Sequence, residues 1–197
     1  YPKTVNAKPM ALKETWSYLR NFVKDPKVGA ITPCSRFTVK RLCQKIALHQ
    51  AQTIVEYGPG SGVYTRYLLD QMPADAQLLA IEINETFVRQ LQPLAEQDPR
   101  LRIYHDQVES ISAILQEEGV FRMDAVVSGI PFSMIPLEAK DTILSETYQY
   151  LKQGGQFLAY QTSFALVPKL RQHFDTVYKD LEPRNLPPMY LMEGLKA

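Results

Sequence analysis

The chain has little of what marks the specialised protein classes. Two cysteines in 197 residues, Cys34 and Cys43, are too few for a disulfide framework. Three histidines give no zinc-ligand spacing, so no metal is expected. No apolar run approaches the roughly 20 residues of a spanning helix, and no secretory signal pattern is visible. The sequence starts at Tyr1 rather than Met, which points to a native N-terminus that begins earlier. What remains is a cytoplasmic globular protein, long enough to bury one full core.

Charge is balanced in total and lopsided in place. The net charge is +1, but residues 1–50 hold ten Lys/Arg against Glu14 and Asp25, a local +8 that leaves −7 for the remainder. A basic arm on an acidic body suits a polyanionic partner, either a membrane or nucleic acid; a merely solvated face is the alternative. Within residues 10–24, Leu12, Trp16, Leu19 and Val23 keep helical spacing with Phe22 beside them, and Lys13, Arg20 and Lys24 take polar positions. That composition suits an interfacial membrane helix, or one that packs on the domain. Asp25-Pro26 closes it.

Ser35 can N-cap a second helix, Arg36–His49. Strands are then expected at Thr53–Tyr57, Gln77–Glu82, Leu101–Tyr104, Met123–Ser128 and Gly155–Tyr160. Helices are expected at Val63–Gln71, Glu85–Glu96, Val108–Glu117, Pro136–Leu151 and Ala165–His173. The strands are near-continuous apolar runs, as when helices cover both faces. Regular alternation predicts an α/β, Rossmann-like doubly wound sheet, seven-stranded and mostly parallel. Thr176–Leu181 and Met189–Gly194 would add an antiparallel pair at its edge, the last strand antiparallel.

The most informative stretch is Glu56-Tyr57-Gly58-Pro59-Gly60-Ser61-Gly62, between an apolar strand and a helix. Gly58, Gly60 and Gly62 allow a tight turn and close approach of a ligand. The leading Glu56 would repel a pyrophosphate but can hold an ammonium group. S-adenosylmethionine carries an ammonium group and no phosphate. Glu82 follows Gly62 by 20 residues and ends the second strand, where a carboxylate can accept from ribose hydroxyls; Ile83 would lie against the adenine. After the third strand, Asp106 or Gln107 can accept from the adenine amino group, or the turn simply caps the next helix. His105 reads as a surface residue. After the fourth strand, Ser128-Gly129-Ile130-Pro131-Phe132 occupies the place where methyl donor and acceptor would meet. Its carbonyl oxygens could receive an amine, and Phe132 could line the pocket.

With Val28-Gly29-Ala30-Ile31, Pro33-Cys34-Ser35, Gln161-Thr162-Ser163-Phe164 and Asn185-Leu186-Pro187-Pro188, these blocks span nearly the whole chain. Together they resemble the class I S-adenosylmethionine-dependent methyltransferases, and within them the bacterial phospholipid and ornithine-lipid N-methyltransferases. The resemblance implies an enzyme that moves a methyl group from S-adenosylmethionine to a lipid amine, most simply phosphatidylethanolamine. It implies Ile31, Ser35, Glu56, Gly58, Gly60, Gly62, Glu82, Ile83, Asp106, Gln107, Ser128, Gly129, Ile130 and Pro131 as cofactor-binding residues. Ser128 and Tyr160 are the candidates to orient the amine. The family often has two serines after the proline, where this chain has Cys34, a poor hydrogen-bond donor. Residues 1–50 then read as a basic helical segment, a cofactor lid with a membrane-binding helix, ahead of a catalytic domain at 51–197. The expected partners are an anionic membrane surface and its phospholipid, at the inner face of the membrane. One rival is an rRNA adenine N6-methyltransferase-like enzyme, but the fourth-strand motif starts with Ser128 rather than Asn or Asp. The other is a non-catalytic membrane- or partner-binding homologue, which would have no need to keep Glu56 and Glu82.

Overall fold

The computed structural model describes residues 34–197. The helix expected over residues 10–24, and Ile31, lie outside them. The described chain runs α1 (Arg36–Cys43), β1 (Thr53–Tyr57), α2 (Val63–Gln71), β2 (Gln77–Ile81), α3 (Glu85–Gln97), β3 (Leu101–Tyr104), α4 (Ile111–Glu117), β4 (Met123–Ser128), α5 (Leu137–Tyr150), β5 (Leu151–Gln161), α6 (Val167–His173), β6 (Thr176–Glu182) and β7 (Met189–Leu195). The strands form one seven-stranded sheet in the order β3-β2-β1-β4-β5-β7-β6. Strands β1 to β5 are parallel, and β7 inserts between β5 and β6, antiparallel to both. This is the doubly wound α/β sheet that the alternating pattern predicts.

Alternation along each strand sorts side chains to two faces. On one, Ile54, Leu78, Val127 and Leu158 share a core with Val39 and Leu42 of α1 and with Tyr64 and Leu68 of α2. On the other, Tyr57 of β1 reaches α5, its hydroxyl 2.9 Å from the Thr147 hydroxyl. Covered on both sides, β1 is buried at every position. Because α1 packs into this core, the boundary expected at residue 50 falls inside a region that shares one core.

Three elements differ from expectation. α1 ends at Cys43 rather than at His49, because Lys45 and Ile46 turn back onto the carbonyls of Leu42 and Cys43. Those tight turns bury Ile46 and Leu48. The segment expected as one helix from Val108 opens as a 3-10 turn, Val108–Ser110. β5 starts at Leu151, which pairs with Met123, while Gln156 pairs with Ala125. The residues between loop outward, with Gly154 at φ +73° donating its amide to the Lys196 carbonyl at 2.7 Å.

Ser35 does cap α1, its hydroxyl accepting from the Thr38 amide at 3.3 Å. The same end of α1 is held by Asn185, in the β6–β7 loop and 1% exposed. Asn185 Oδ1 accepts from the Ser35 amide at 2.7 Å and the Thr38 hydroxyl at 2.9 Å, and its amide group donates to the Pro187 carbonyl at 2.9 Å. Asn185→Ala removes the acceptor of the Ser35 amide and of the Thr38 hydroxyl and should cost about 1–3 kcal/mol. In a thermal melt that is a fall of about 2–4 °C per kcal/mol for a domain of this size.

Candidate active site

The strand order reverses between β1 and β4, and in an open α/β sheet the ligand crevice lies outside the carboxyl ends of the strands at that point. The loops after β1 and β4 are joined at this point. The Gly129 amide donates to the Tyr57 carbonyl at 2.8 Å. A Cβ on Gly58 would come within 2.8 Å of Ile130 Cγ2, so only glycine lets the loops approach this closely. A Cβ on Gly62 would meet Leu91 at 2.4 Å, on α3. Gly60 differs from both. Its φ is +54°, and among the described residues a Cβ there would meet nothing within 4 Å.

Glu56 lies beside this turn, 1% exposed. Its Oε2 accepts from the Thr65 hydroxyl of α2 at 2.7 Å, while Oε1 is buried with no hydrogen-bond partner. Burial, helped by nearby Glu82, pushes its carboxyl up to about 8 although the Thr65 hydroxyl pulls it down. A buried carboxyl oxygen with no partner among the described residues, next to the glycine turn, fits the ammonium of an amino-acid-bearing cofactor. Glu82 is brought to the same turn: its Oε2 accepts from the Gly60 amide at 3.0 Å and its Oε1 from the Asn84 amide at 2.8 Å. Burial raises its carboxyl too, against those amides. Each Glu82 oxygen keeps lone-pair capacity, which fits a ribose diol. Ile83 is tied to the β3 loop through its carbonyl, 3.1 Å from His105 Nε2. His105 therefore has a positioning contact that its surface location gave no hint of. Asp106 is exposed and accepts from the Gln107 amide at 2.7 Å.

The β4 loop corrects two expectations. Ser128 shares register with Tyr57 and Ala159, so its side chain lies on the α5 face, away from Glu56. Its hydroxyl is fully buried and without a partner, so Ser128 brings only its backbone to the crevice. Phe132 is likewise 1% exposed and packs edge-on against Phe157 at 6.1 Å, so it is a core residue. The position that faces the crevice is Gly129. A Cβ there would lie 2.3 Å from the Tyr160 hydroxyl and 2.9 Å from the Gly58 carbonyl oxygen. The Tyr160 hydroxyl thus fills the space where another residue's side chain would begin.

Tyr160 is held from behind. Its ring stacks on Tyr64 of α2, with centroids 4.3 Å apart and planes at 15°. Among the described residues the buried Tyr64 hydroxyl has no conventional hydrogen-bond partner and lies beside the weakly polar Cys34 thiol. Burial raises the Cys34 thiol to about 11, so it stays protonated and unreactive. Burial also raises Tyr160 well above the ordinary phenol value. Gln161 Nε2 donates to the Ile130 carbonyl at 3.2 Å and braces the same loop. Ser35, expected near the cofactor, has its hydroxyl engaged with Thr38. Thr65, Tyr64 as a stacking partner, Gln161 and Asn185 were not singled out as site residues in the sequence. Tyr64 and Thr65 stood in the first turn after the glycines, and Gln161 and Asn185 opened two of the blocks that carry the resemblance. Among the described residues no three potential ligands gather to hold a metal ion.

The fold and the glycine corner define an α/β protein of the nucleoside-cofactor-binding kind. Residues 54–155 match the methyltransferase domain family, and the chain belongs to that family. It is a methyltransferase whose donor is S-adenosylmethionine. The chain is 27% identical over 195 residues to the ornithine lipid N-methyltransferase of Singulisphaera acidiphila, covering 94% of this chain and 98% of that one. It is 24% identical over 104 residues to the ribosomal RNA small subunit methyltransferase H of Psychrobacter arcticus, covering 53% of this chain and 30% of that one. Among solved structures, the 1,6-didemethyltoxoflavin-N1-methyltransferase of Burkholderia thailandensis shares the fold, with a TM-score of 0.75. It is 18% identical, and the match covers 100% of this chain and 98% of that one.

Two outcomes test this geometry. The folded chain holds a proton on Glu56 that the unfolded chain releases, so this group's contribution to stability falls as pH rises from about 4.5 to about 8. Glu56→Gln removes that dependence, and the ligand-free variant should melt higher than wild type above about pH 8, by about 2–4 °C per kcal/mol recovered. The same variant should bind S-adenosylmethionine about tenfold more weakly by calorimetry. A higher melting temperature with unchanged affinity would place the ammonium elsewhere. Gly60→Val should abolish binding, since its side chain enters space that no described residue fills; full affinity would mean that the ligand lies elsewhere.

Proposed function

We propose that the enzyme methylates the primary amine of a membrane lipid head group, phosphatidylethanolamine-like or ornithine-lipid-like. The observation that carries this reading is the match to an ornithine lipid N-methyltransferase, which runs almost end to end in both chains. The crevice suits an amine acceptor. Glu56 takes the cofactor's ammonium, and Glu82 with Ile83 and the Asp106-Gln107 turn takes its nucleoside. The bound cofactor supplies an electrophilic methyl group on a sulfonium.

The acceptor amine must arrive unprotonated and aligned. Desolvation beside a cation lowers an amine's pKa, so no strong base is needed. Tyr160 suits that role as a neutral hydroxyl: its raised pKa keeps it from acting as a phenolate base, while its oxygen can accept from the amine N–H. The Gly58 carbonyl, close to the same space, offers a second acceptor. The rRNA reading is favoured less. The crevice-facing position is Gly129, which has no carboxamide or carboxylate to accept from an adenine amine.

With labelled S-adenosylmethionine, the label should enter the lipid fraction of a total extract and leave rRNA unlabelled. Label in rRNA alone would overturn the lipid assignment. Tyr160→Phe, which keeps the stack on Tyr64, should lower kcat about tenfold with little change in cofactor affinity. Unchanged turnover would remove Tyr160 from the acceptor site.

A further inference from the structure

A patch of mixed character lies at the rim of the crevice, on the exposed side of α1 and the β6–β7 loop. Helix α1 buries Thr38, Val39, Leu42 and Cys43. Its other side presents Arg36, Phe37 and Lys40 to solvent, neighbours at i, i+3 and i+4 spacing. Beside them the β6–β7 loop carries Arg184 and, at its tip, Leu186, which is 86% exposed. The Arg184 guanidinium lies over the Phe37 ring at 4.4 Å, so loop and helix form one surface.

The charges here are unequally compensated. Arg184 is paired with Glu182 at 2.6 Å, and Arg41 with Asp180 at 2.9 Å. Arg36 and Lys40 have no ion pair among the described residues. Two cations with no ion pair among the described residues therefore flank an aromatic ring, next to a projecting leucine. Apolar groups that can enter an acyl boundary, ringed by cations that can meet phosphates, are the chemistry of a membrane contact. The Phe37 ring already carries two guanidinium groups, Arg184 at 4.4 Å and Arg36 at 5.1 Å, so it is not a free platform for stacking a base.

The patch is also fixed relative to the chemistry. Tyr190, early in β7, pairs with Gln161 at the carboxyl end of β5, so the β6–β7 loop stands on the crevice side of the sheet. Asn185 bolts that loop to Ser35. The next residue, Cys34, lies beside Tyr64, whose ring stacks on Tyr160 above Gly129. We propose that Arg36, Phe37, Lys40, Arg184 and Leu186 form a docking surface for an anionic lipid bilayer, which sets the acceptor crevice against the head groups. All five residues lie among the described residues, and the proposal rests on the lipid-amine reading for its purpose but not for its test.

The test uses the full chain in vesicle flotation, with phosphatidylcholine alone and with added phosphatidylglycerol. Arg36→Glu with Lys40→Glu should lower partitioning onto the anionic vesicles about tenfold or more and leave the neutral vesicles unaffected. Leu186→Ser should lower partitioning about fivefold on anionic vesicles at any salt. All three side chains are exposed, and melts should show both variants folded as wild type. With phosphatidylethanolamine in anionic vesicles as substrate, the apparent KM should rise about tenfold for the charge variant at unchanged kcat. With a monomeric short-chain phosphatidylethanolamine, both constants should match wild type. Undiminished flotation of both variants would overturn the docking surface. So would a charge variant that loses retention of RNA while floating normally. If no lipid amine is methylated in any format, the proposed function fails, and the flotation result still decides the surface.

Discussion

The Gly129 amide reaches the Tyr57 carbonyl across 2.8 Å, and the geometry of the crevice follows from that approach. It draws the loops after β1 and β4 into contact, which requires a bare Cα at Gly58 beneath Ile130. It also brings Gly129 under the Tyr160 hydroxyl, so the third strand of the group, β5, contributes its side chain to the same space. A side chain at either glycine would prise the loops apart and separate the cofactor side of the crevice from the acceptor side.

Against this fixed frame the crevice holds two buried carboxylates in different states of readiness. Glu82 accepts one backbone amide on each oxygen, from the glycine turn and from its own loop, which fixes its orientation and leaves a lone pair on each. Glu56 is left with one hydroxyl donor and one bare oxygen. Leaving such a group unpaired costs stability, and a cationic partner returns it. Sites that bind tightly commonly hold strain of this kind ahead of ligand. The Tyr64–Tyr160 stack is an aromatic wall fixed by ring contact, with the buried Tyr64 hydroxyl left without a hydrogen-bond partner among the described residues.

Much of the sheet was legible because its signals are local. Apolar runs at Thr53–Tyr57, Leu101–Tyr104 and Met123–Ser128 coincide with β1, β3 and β4, and Val63–Gln71 coincides with α2. What the sequence misjudged depends on contacts between distant segments. The Lys152–Gly155 outcrop is held by Lys196, and α1 stops early because Ile46 and Leu48 find burial in the core. The side a residue faces was the least readable property. Ser128 and Gly129 are neighbours, yet strand alternation sends the first to the α5 face and the second to the crevice. Asn185, 150 residues from Ser35, could not announce its role without the fold.

The insertion of β7 between β5 and β6 has a consequence for how the chain is made. Synthesis delivers β1 to β6 first, and β5 and β6 do not pair with each other. Until residues 189–195 emerge, the edge of β5 next to Tyr160 stands open, a row of unpaired amides and carbonyls on a nascent chain. β7 therefore acts as a closing wedge: the wall that carries Tyr160 is completed only once residues 189–195 have emerged, and a product stalled before them would expose an adhesive edge in place of a working crevice.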